Sequence, residues 1–253
     1  MLGHEVILGD GAMGTMLQAA VLGPDDFEGH DGCNEILNVT RPDVILDIHR
    51  AYLAAGSDVI ETNTFGANAA ALGEYGITDR LAELAGAGAR LARQAADEAG
   101  PGHWVFGSIG PGTKLPTLGH IDFVTLRDAY YTQVSAMIDG GVDAVQIETC
   151  QDLLQAKAAV IGARRAARDA HVDLPIIVDI TVETTGTMLL GSETGAALTS
   201  LAPLGVDVIG LNCCLLYTST HGPRPTPATS PVGDSPKWMT AAGSLTRSAN
   251  HVR

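Results

Sequence analysis

The chain has 253 residues, 45% of them apolar and 17% charged, which is enough apolar sequence for a sizeable core and excludes a disordered or fibrous protein. It carries 15 basic and 29 acidic residues, a net charge of −14, and this balance argues against a surface that follows nucleic-acid phosphates. We therefore expect its partner to be a small molecule or another protein, and not a nucleic acid.

Signals for export, membrane insertion and disulfide bonding are weak in this sequence. There is no run of about 18 uninterrupted apolar residues, and the first ten residues lack a basic region followed by an apolar one. We expect a cytoplasmic protein with no membrane partner. The cysteines do not suggest a disulfide framework in such a chain, so their use as ligands or nucleophiles is the better question.

Composition and charge change sharply near Cys214. Residues 215–253 hold four basic residues and one acid, a charge of +3, together with five of the 12 prolines. Residues 1–214 therefore carry −17. Because the tail also lacks a sustained apolar period, we predict a single patterned domain over residues 1–213, followed by a low-order segment at 214–253.

Before that boundary, short aliphatic runs alternate with longer helical patterns, several of which begin at an Asp or Thr of the N-cap type. In chain order the predicted elements are a strand at 6–8, a helix at 42–55, a strand at 58–60, a helix at 79–99, a strand at 104–109, a helix at 122–139, a strand at 144–147, a helix at 152–170, a strand at 176–180, a short helix at 194–202 and a strand at 208–211. Repeated strand–helix alternation indicates parallel strands, either in an open sheet or in a barrel that stops short of eight strands.

An internal repeat supports the parallel arrangement. The segments GSDVI at 56–60, GVDAV at 141–145 and GVDVI at 205–209 each place a glycine and a polar turn residue directly before a predicted strand. The separations of the three segments leave room for two strand–helix units between successive copies.

Polar residues follow the carboxyl ends of all six predicted strands. In parallel α/β folds this is the edge where ligands bind, because strand ends and loops converge there. Asp10 and Glu148 are acceptors suited to an ammonium group, while Ser108, Thr62 and the backbone amides near Gly11 and Phe65 could receive a carboxylate. That combination fits an amino acid, although Asp10 and Glu148 could also be simple loop caps.

Cys213 follows the last predicted strand and is preceded by Asn212. From its position it could be a nucleophile, a metal ligand or a small buried apolar residue. A zinc site that activates a thiol needs three protein ligands, and neither Cys33 nor Cys150 has zinc-ligand spacing with Cys213. Cys214 is adjacent, and neighbouring strand residues point to opposite faces unless the backbone turns at once.

Six segments resemble those of one known family and occur in its order. They are ILGDGAMGTMLQ, GCNEILNVTRPDVILDIHRAYLAAGSDVIETNTFGAN, GSIGP, IETCQDLLQAKAAV, GTMLLG and GLNC. This order is similar to that of the homocysteine-binding, zinc-dependent methyltransferase barrels (the homocysteine S-methyltransferases), and most closely resembles the N-terminal modules of the cobalamin-dependent methionine synthases. The resemblance extends from about residue 6 to residue 213.

The resemblance implies a TIM-type (β/α)8 barrel, of which about six of eight strand–helix units are present. It implies zinc that holds homocysteine as a thiolate, and methyl transfer to that thiolate, giving methionine, from methylcobalamin on a cobalamin-binding module or protein. The family's amino-group carboxylates fall on Asp10 and Glu148. The residues expected to bind substrate are Asp10, Thr62, Asn63, Ser108, Glu148 and Asn212, and the expected zinc ligand is Cys213.

The sequence departs from the family after Cys213. The family's other two zinc cysteines lie in a GGCCGT-type segment after the eighth strand, and nothing after Leu215 contains it. We hypothesise that residues from about Cys214 onward derive from a frameshift, a chimeric junction or a sequencing artefact, and we expect this chain to be inactive. The alternatives are a metal-free amino-acid-binding protein or a different barrel enzyme, such as a phosphate-binding lyase.

Overall fold

Five parallel strands form one sheet in the computed structural model, which describes residues 6–213. The strands are β1 (Val59–Glu61), β2 (Trp104–Ile109), β3 (Ala144–Cys150), β4 (Ile176–Ile180) and β5 (Val208–Leu211). Each strand pairs with the next along the chain. This sequential order agrees with the predicted barrel type, because a doubly wound sheet reverses its strand order. The segment predicted to be of low order, 214–253, lies outside the described residues.

The sixth predicted strand, at residues 6–8, is absent from the described sheet. This segment lies beside β1, but only Leu8 is hydrogen-bonded there: its carbonyl accepts from the amides of Asp58 and Val59, at 2.8 and 3.1 Å. A ladder needs pairing at alternate residues, and Val6 is 80% exposed instead. The prediction of six strands is therefore wrong by one within the described residues.

Helices follow the strands where the sequence predicts them. They are α1 (Met13–Ala19), α2 (Leu37–Thr40), α3 (Pro42–Ala54), α4 (Ala69–Glu74), α5 (Leu81–Ala99), α6 (Phe123–Gly140), α7 (Leu153–Asp169) and α8 (Thr194–Leu201). Asp122 and Asp152 are N-caps whose carboxylates accept backbone amides of α6 and α7, so those helices begin one residue later than predicted. The short helices α1, α2 and α4 were not predicted. None of the helices within 6–213 is long and apolar enough to cross a membrane.

The three-fold sequence repeat is a structural repeat built around an aspartate. In each copy the Asp amide donates to the carbonyl of a residue on the preceding segment, and the Asp carboxylate accepts from the amide of that same residue. All six hydrogen bonds measure 2.8–2.9 Å. The pairs are Asp58 with Leu8, Asp143 with Val105, and Asp207 with Ile176. Each Asp thus fixes the start of its own strand against the segment before it, which is a strand for Asp143 and Asp207 and residues 6–8 for Asp58.

The two faces of the sheet bury different kinds of side chain. One face packs against α6 and α7 through aliphatic residues, among them Val145, Ile147, Val178 and Ile180. The other carries a smaller apolar cluster near the amino ends of the strands, formed by Val59, Phe106, Ala144 and Ile177. Because side chains alternate along a strand, the acidic residues further along the same strands share this second face. This face is therefore polar near the carboxyl ends of the strands and apolar near their amino ends.

Candidate functional site

A cavity of about 460 Å³ opens at the carboxyl ends of β1, β2 and β3. Five of the six residues predicted to bind substrate line it: Asp10, Thr62, Asn63, Ser108 and Glu148. Six other residues with side chains line it and are not among those predicted to bind substrate: Ala12, Met13, Asn34, Glu35, Glu61 and Phe65. The cavity therefore brings together residues from distant parts of the chain at the edge where ligands of parallel sheets bind.

Two predicted carboxylates, Asp10 and Glu148, each accept a hydrogen bond from a neighbouring strand. The amide of Glu61 donates to Asp10 Oδ2 at 3.0 Å, and the Ser108 hydroxyl donates to Glu148 Oε1 at 2.6 Å. Burial raises the pKa of Asp10 to about 6 and also raises the pKa of Glu148 above its usual range. Neither carboxylate has a basic partner within the described residues, so both would gain from a bound cation.

Glu61 and Asp179 extend this acidic cluster, and the sequence analysis did not assign them to the site. Burial, followed by the negative charges of Glu148 and Asp10, raises the pKa of Glu61 to about 8. Burial raises the pKa of Asp179 to about 6, although Gln146 donates a hydrogen bond to it at 3.0 Å. Strand alternation could have identified both, because each lies two residues beyond an apolar inward-facing position.

The loop after β1 is fixed by its own hydroxyl groups. Thr62 Oγ1 accepts from the amide of Ser108 at 3.0 Å and lies 2.5 Å from Thr64 Oγ1. Thr64 Oγ1 in turn donates to the carbonyl of Ser108 at 2.8 Å. Thr62 therefore lines the cavity, but its hydroxyl also ties the loop to β2.

Asn63 is bound on the protein side of the same loop. Its side-chain amide donates to the Asn34 carbonyl and to Asn38 Oδ1, both at 2.9 Å, and Asn38 donates back to the Asn63 carbonyl at 2.8 Å. Hydrogen bonds within residues 6–213 leave the backbone amides of Asn63 and Phe65 without an acceptor. The loop thus offers backbone donors, while the Asn63 side chain holds it in place.

Glu35 is a buried carboxylate that also contacts this loop. Its Oε1 accepts from the amide of Gly66 at 2.7 Å, and the thiol of Cys33 lies 3.8 Å from Oε2. Burial raises the pKa of Glu35, while the hydrogen bonds at its carboxylate oppose that rise. The sequence GCNEILN contains Glu35, but nothing in its spacing pointed to a contact with a loop 31 residues away.

Asn212 and Cys213 lie beside the cavity instead of lining it. Asn212 Nδ2 donates to Glu148 Oε2 at 3.4 Å and to Thr149 Oγ1 at 3.1 Å, and its Oδ1 accepts from the Thr149 amide at 2.9 Å. The Thr149 hydroxyl is 3.6 Å from Cys213 Sγ. Thr149 and Cys213 both have left-handed backbones, with φ of 60° and 48°, which is rare for residues other than glycine.

The described residues do not fit a zinc centre by themselves. Within 6–213, no group of three or more His, Cys, Asp or Glu side chains could hold a metal ion. Cys213 is exposed, whereas Cys33 and Cys150 are buried in apolar clusters. Burial raises the pKa of both buried thiols, that of Cys33 to about 11, which disfavours the thiolate that a metal requires.

Comparisons with known proteins identify the family to which the chain is similar. The sequence model of the homocysteine S-methyltransferase family matches residues 7–222. The chain is 59% identical over 216 residues to the methionine synthase of Mycobacterium tuberculosis, and 60% identical over 215 residues to that of Mycobacterium leprae. Each match covers 84% of this chain and 18% of the relative, so the chain spans less than a fifth of the relatives' length.

A similar fold is present in a solved structure. The metallated form of the homocysteine methyltransferase MmuM from Escherichia coli superposes with a TM-score of 0.67 at 23% identity. The match covers 83% of this chain and 75% of that one. The predicted α/β architecture of TIM-barrel type is confirmed by this similarity.

Proposed function

This chain belongs to the homocysteine S-methyltransferase family, and on that premise we propose that the cavity at the ends of β1, β2 and β3 binds homocysteine. One observation carries the proposal: a single cavity combines two half-buried carboxylates that lack basic partners within the described residues, Asp10 and Glu148, with open backbone amides at Asn63 and Phe65. An α-amino acid presents one cation and one anion close together, so this arrangement matches both of its charged groups.

The amino group of the substrate would lie between Asp10 and Glu148. Ser108 orients Glu148 and the Glu61 amide orients Asp10, so both acceptors are positioned before the ligand arrives. A bound ammonium favours the ionised form of each carboxylate. Because the pKa of Asp10 is raised to about 6 in the free site, affinity should increase as pH rises through about 6, and binding below that pH should release protons.

The substrate carboxylate would accept from the amides of Asn63 and Phe65. These donors belong to a loop whose side chains Thr62 and Asn63 already form hydrogen bonds to the protein. Such a preorganised loop loses little conformational entropy on binding. The proposed role of Asn63 is therefore to supply a backbone donor, and that of Thr62 is to hold the loop at the edge of the cavity.

The proposed reaction is transfer of a methyl group to the homocysteine sulfur, giving methionine, with methylcobalamin on a cobalamin-binding module or protein as donor. The family resemblance implies a zinc ion that would stabilise this sulfur as a thiolate, and Cys213 would be one of its ligands. The described residues provide one of three thiolates, so we expect the 253-residue chain to bind zinc weakly and to be inactive. The second candidate function is a metal-free amino-acid-binding protein. It is favoured by the presence of both carboxylates and both open backbone amides, because binding through these groups needs no metal.

Calorimetry on the 253-residue chain tests the proposal. Homocysteine and methionine are titrated separately, each with and without equimolar zinc. Selectivity for homocysteine that requires zinc would support the methyltransferase and contradict the expected weak metal binding. Equal affinity for the two amino acids, unchanged by zinc, would support the metal-free binding protein. No binding of either would contradict the proposed site.

A further inference from the structure

Glu35 fixes one particular peptide unit of the loop after β1. The Phe65–Gly66 peptide donates its N–H to Glu35 Oε1 at 2.7 Å, and its carbonyl accepts from the Gly110 amide at 3.0 Å. The plane of this peptide is therefore held from both sides. Two side chains take part: Asn68 Nδ2 donates to the Phe65 carbonyl at 3.4 Å, and Glu35, which is 8% exposed, accepts from the N–H at the shorter distance.

Gly66 allows the close approach of Glu35. A Cβ at position 66 would lie 2.7 Å from Glu35 Oε1 and 3.0 Å from its Cδ, so any side chain there would displace the carboxylate. The φ of Gly66 is not among the positive ones, so an alanine could adopt this backbone. The need for glycine at position 66 comes from the contact with Glu35.

The fixed peptide adjoins the donors of the proposed carboxylate site. The open Phe65 amide lies one residue before the peptide that Glu35 holds, and the open Asn63 amide lies two residues earlier. On the Asn63 side the loop is secured by Asn34 and Asn38. Without Glu35, the N–H of this peptide would lose its acceptor, and the Phe65 end would keep only the hydrogen bonds that its carbonyl accepts from Gly110 and Asn68.

We propose that Glu35 is a positioning residue, which holds the Phe65–Gly66 peptide so that the backbone amides of Asn63 and Phe65 can bind the substrate carboxylate. The inference rests on the proposed function, because it assumes that an amino acid occupies the cavity. Glu35 acts through the loop and does not itself touch the substrate. It thereby determines selectivity for ligands that carry a carboxylate.

The test compares two ligands that differ only in the carboxylate: homocysteine and 3-aminopropane-1-thiol. Affinities are measured by calorimetry on the full 253-residue chain and on Glu35→Ala and Glu35→Gln. We expect Glu35→Ala to weaken homocysteine binding about tenfold and to leave 3-aminopropane-1-thiol within about twofold. Glu35→Gln should bind homocysteine within about threefold of the unchanged chain, because its amide oxygen still accepts from Gly66.

A double-mutant cycle with Gly66→Ala supplies an independent readout. Gly66→Ala should weaken homocysteine binding in the unchanged chain, because its Cβ displaces Glu35. In the Glu35→Ala background it should have no further effect, so the two changes should be strongly non-additive. This cycle remains informative even if one single variant loses stability.

Three results would overturn the inference. Equal weakening of both ligands by Glu35→Ala would mean that Glu35 meets the ammonium group or supports the whole domain. Loss in Glu35→Gln as large as in Glu35→Ala would mean that the negative charge matters more than the acceptor. Additive effects of Glu35→Ala and Gly66→Ala would remove the link through the shared peptide. If the unchanged chain binds no homocysteine, the proposed function fails first, and this result is distinct from the other three.

Discussion

The two outer edges of the sheet, at β1 and β5, differ in what covers them. At β1, residues 6–8 cover the edge through Leu8, and the adjoining loop carries a dense set of hydrogen bonds. At β5, no described segment pairs with the outer edge, and Val208 and Leu211 are 36% and 52% exposed. An apolar groove of about 300 Å³ lies between α8 and this strand. The residues proposed to bind the amino acid lie in the β1–β3 region, whereas Cys213 follows β5, whose outer edge is unpaired within the described residues.

This difference separates two tasks that the proposed reaction would combine. Recognition of the charged end of an amino acid needs only side chains and amides of the β1–β3 region. Handling of the sulfur needs groups near the end of β5, where the described residues provide a single exposed thiol. We therefore expect substitutions around β1–β3 to affect stability and amino-acid binding strongly, and those around β5 to affect them weakly.

The largest contrast should appear in core stability. Ile147 is 1% exposed and packs in the main cluster, whereas Ile209 on β5 is only partly buried. We expect Ile147→Ala to lower the free energy of unfolding by about 3 kcal/mol and Ile209→Ala by about 1 kcal/mol, as measured by urea titration. Ile161→Ala, on the exposed side of α7, is the matched control. Equal losses at Ile147 and Ile209 would show that β5 is as well integrated as β3.

Amino-acid affinity should depend next on Glu148. Glu148→Gln keeps the shape of the side chain but removes the charge that an ammonium group would meet. We expect homocysteine to bind about 30-fold more weakly to this variant in calorimetry at pH 7.5. Glu193→Gln, at an exposed position near the open edge, should leave the affinity unchanged. An unchanged affinity in Glu148→Gln would contradict the proposal that Glu148 binds the amino group of the substrate.

A smaller effect, dependent on pH, is expected at Glu61. Its pKa is raised from 4.5 to about 8, so the folded chain holds a proton that the unfolded chain releases at lower pH. Stability should therefore fall as pH rises between these values. Glu61→Gln removes this dependence and should stabilise the chain by on the order of 1 kcal/mol more at pH 8 than at pH 5. Thermal unfolding at the two pH values measures the difference, with Glu193→Gln as control. An equal effect of Glu61→Gln on stability at the two pH values would contradict a raised pKa of Glu61 in the folded chain.

The smallest effect concerns Asn212, which links the two regions. Asn212→Ala removes one donor from Glu148 and the bonds that hold Thr149 in its left-handed conformation. We expect about threefold weaker homocysteine binding and a lower thermal midpoint. Adding Thr149→Gly should restore part of the stability, because glycine adopts positive φ without strain. A lower midpoint after that second change would argue against strain at Thr149.

The sequence predicted a site residue when its place along a strand decides its location, and not when a contact between distant segments decides it. Asp10, Ser108 and Glu148 were predicted because each follows a short aliphatic strand, and the carboxyl ends of parallel strands meet. Glu61 lies on the same pattern but was not assigned, because a buried unpaired acid is not an ordinary expectation for a strand interior. Glu35 could not have been predicted, since its contact with Gly66 depends on the path of two loops.

The fold was predicted closely where local rules control it. The helix starts near Asp122 and Asp152 follow from capping chemistry. The error at residues 6–8 arose because a short aliphatic run has the same appearance whether it pairs along its length or at a single residue. The side chains of Asn63 and Asn212 donate to protein acceptors, and the sequence could not show this because it does not reveal the partners of an amide side chain.

The repeated aspartates, Asp58, Asp143 and Asp207, give the sheet a means of growing one unit at a time. Each aspartate forms two hydrogen bonds to one residue of the preceding segment. The register of the strand that follows the aspartate is therefore set by that segment and not by the sheet as a whole. These contacts join residues 50, 38 and 31 positions apart, and closing loops of that length slows the pairing of parallel strands. Three strands, β1, β3 and β5, are thus held in register with the segment before them, whether or not the outer edge at β5 has been joined.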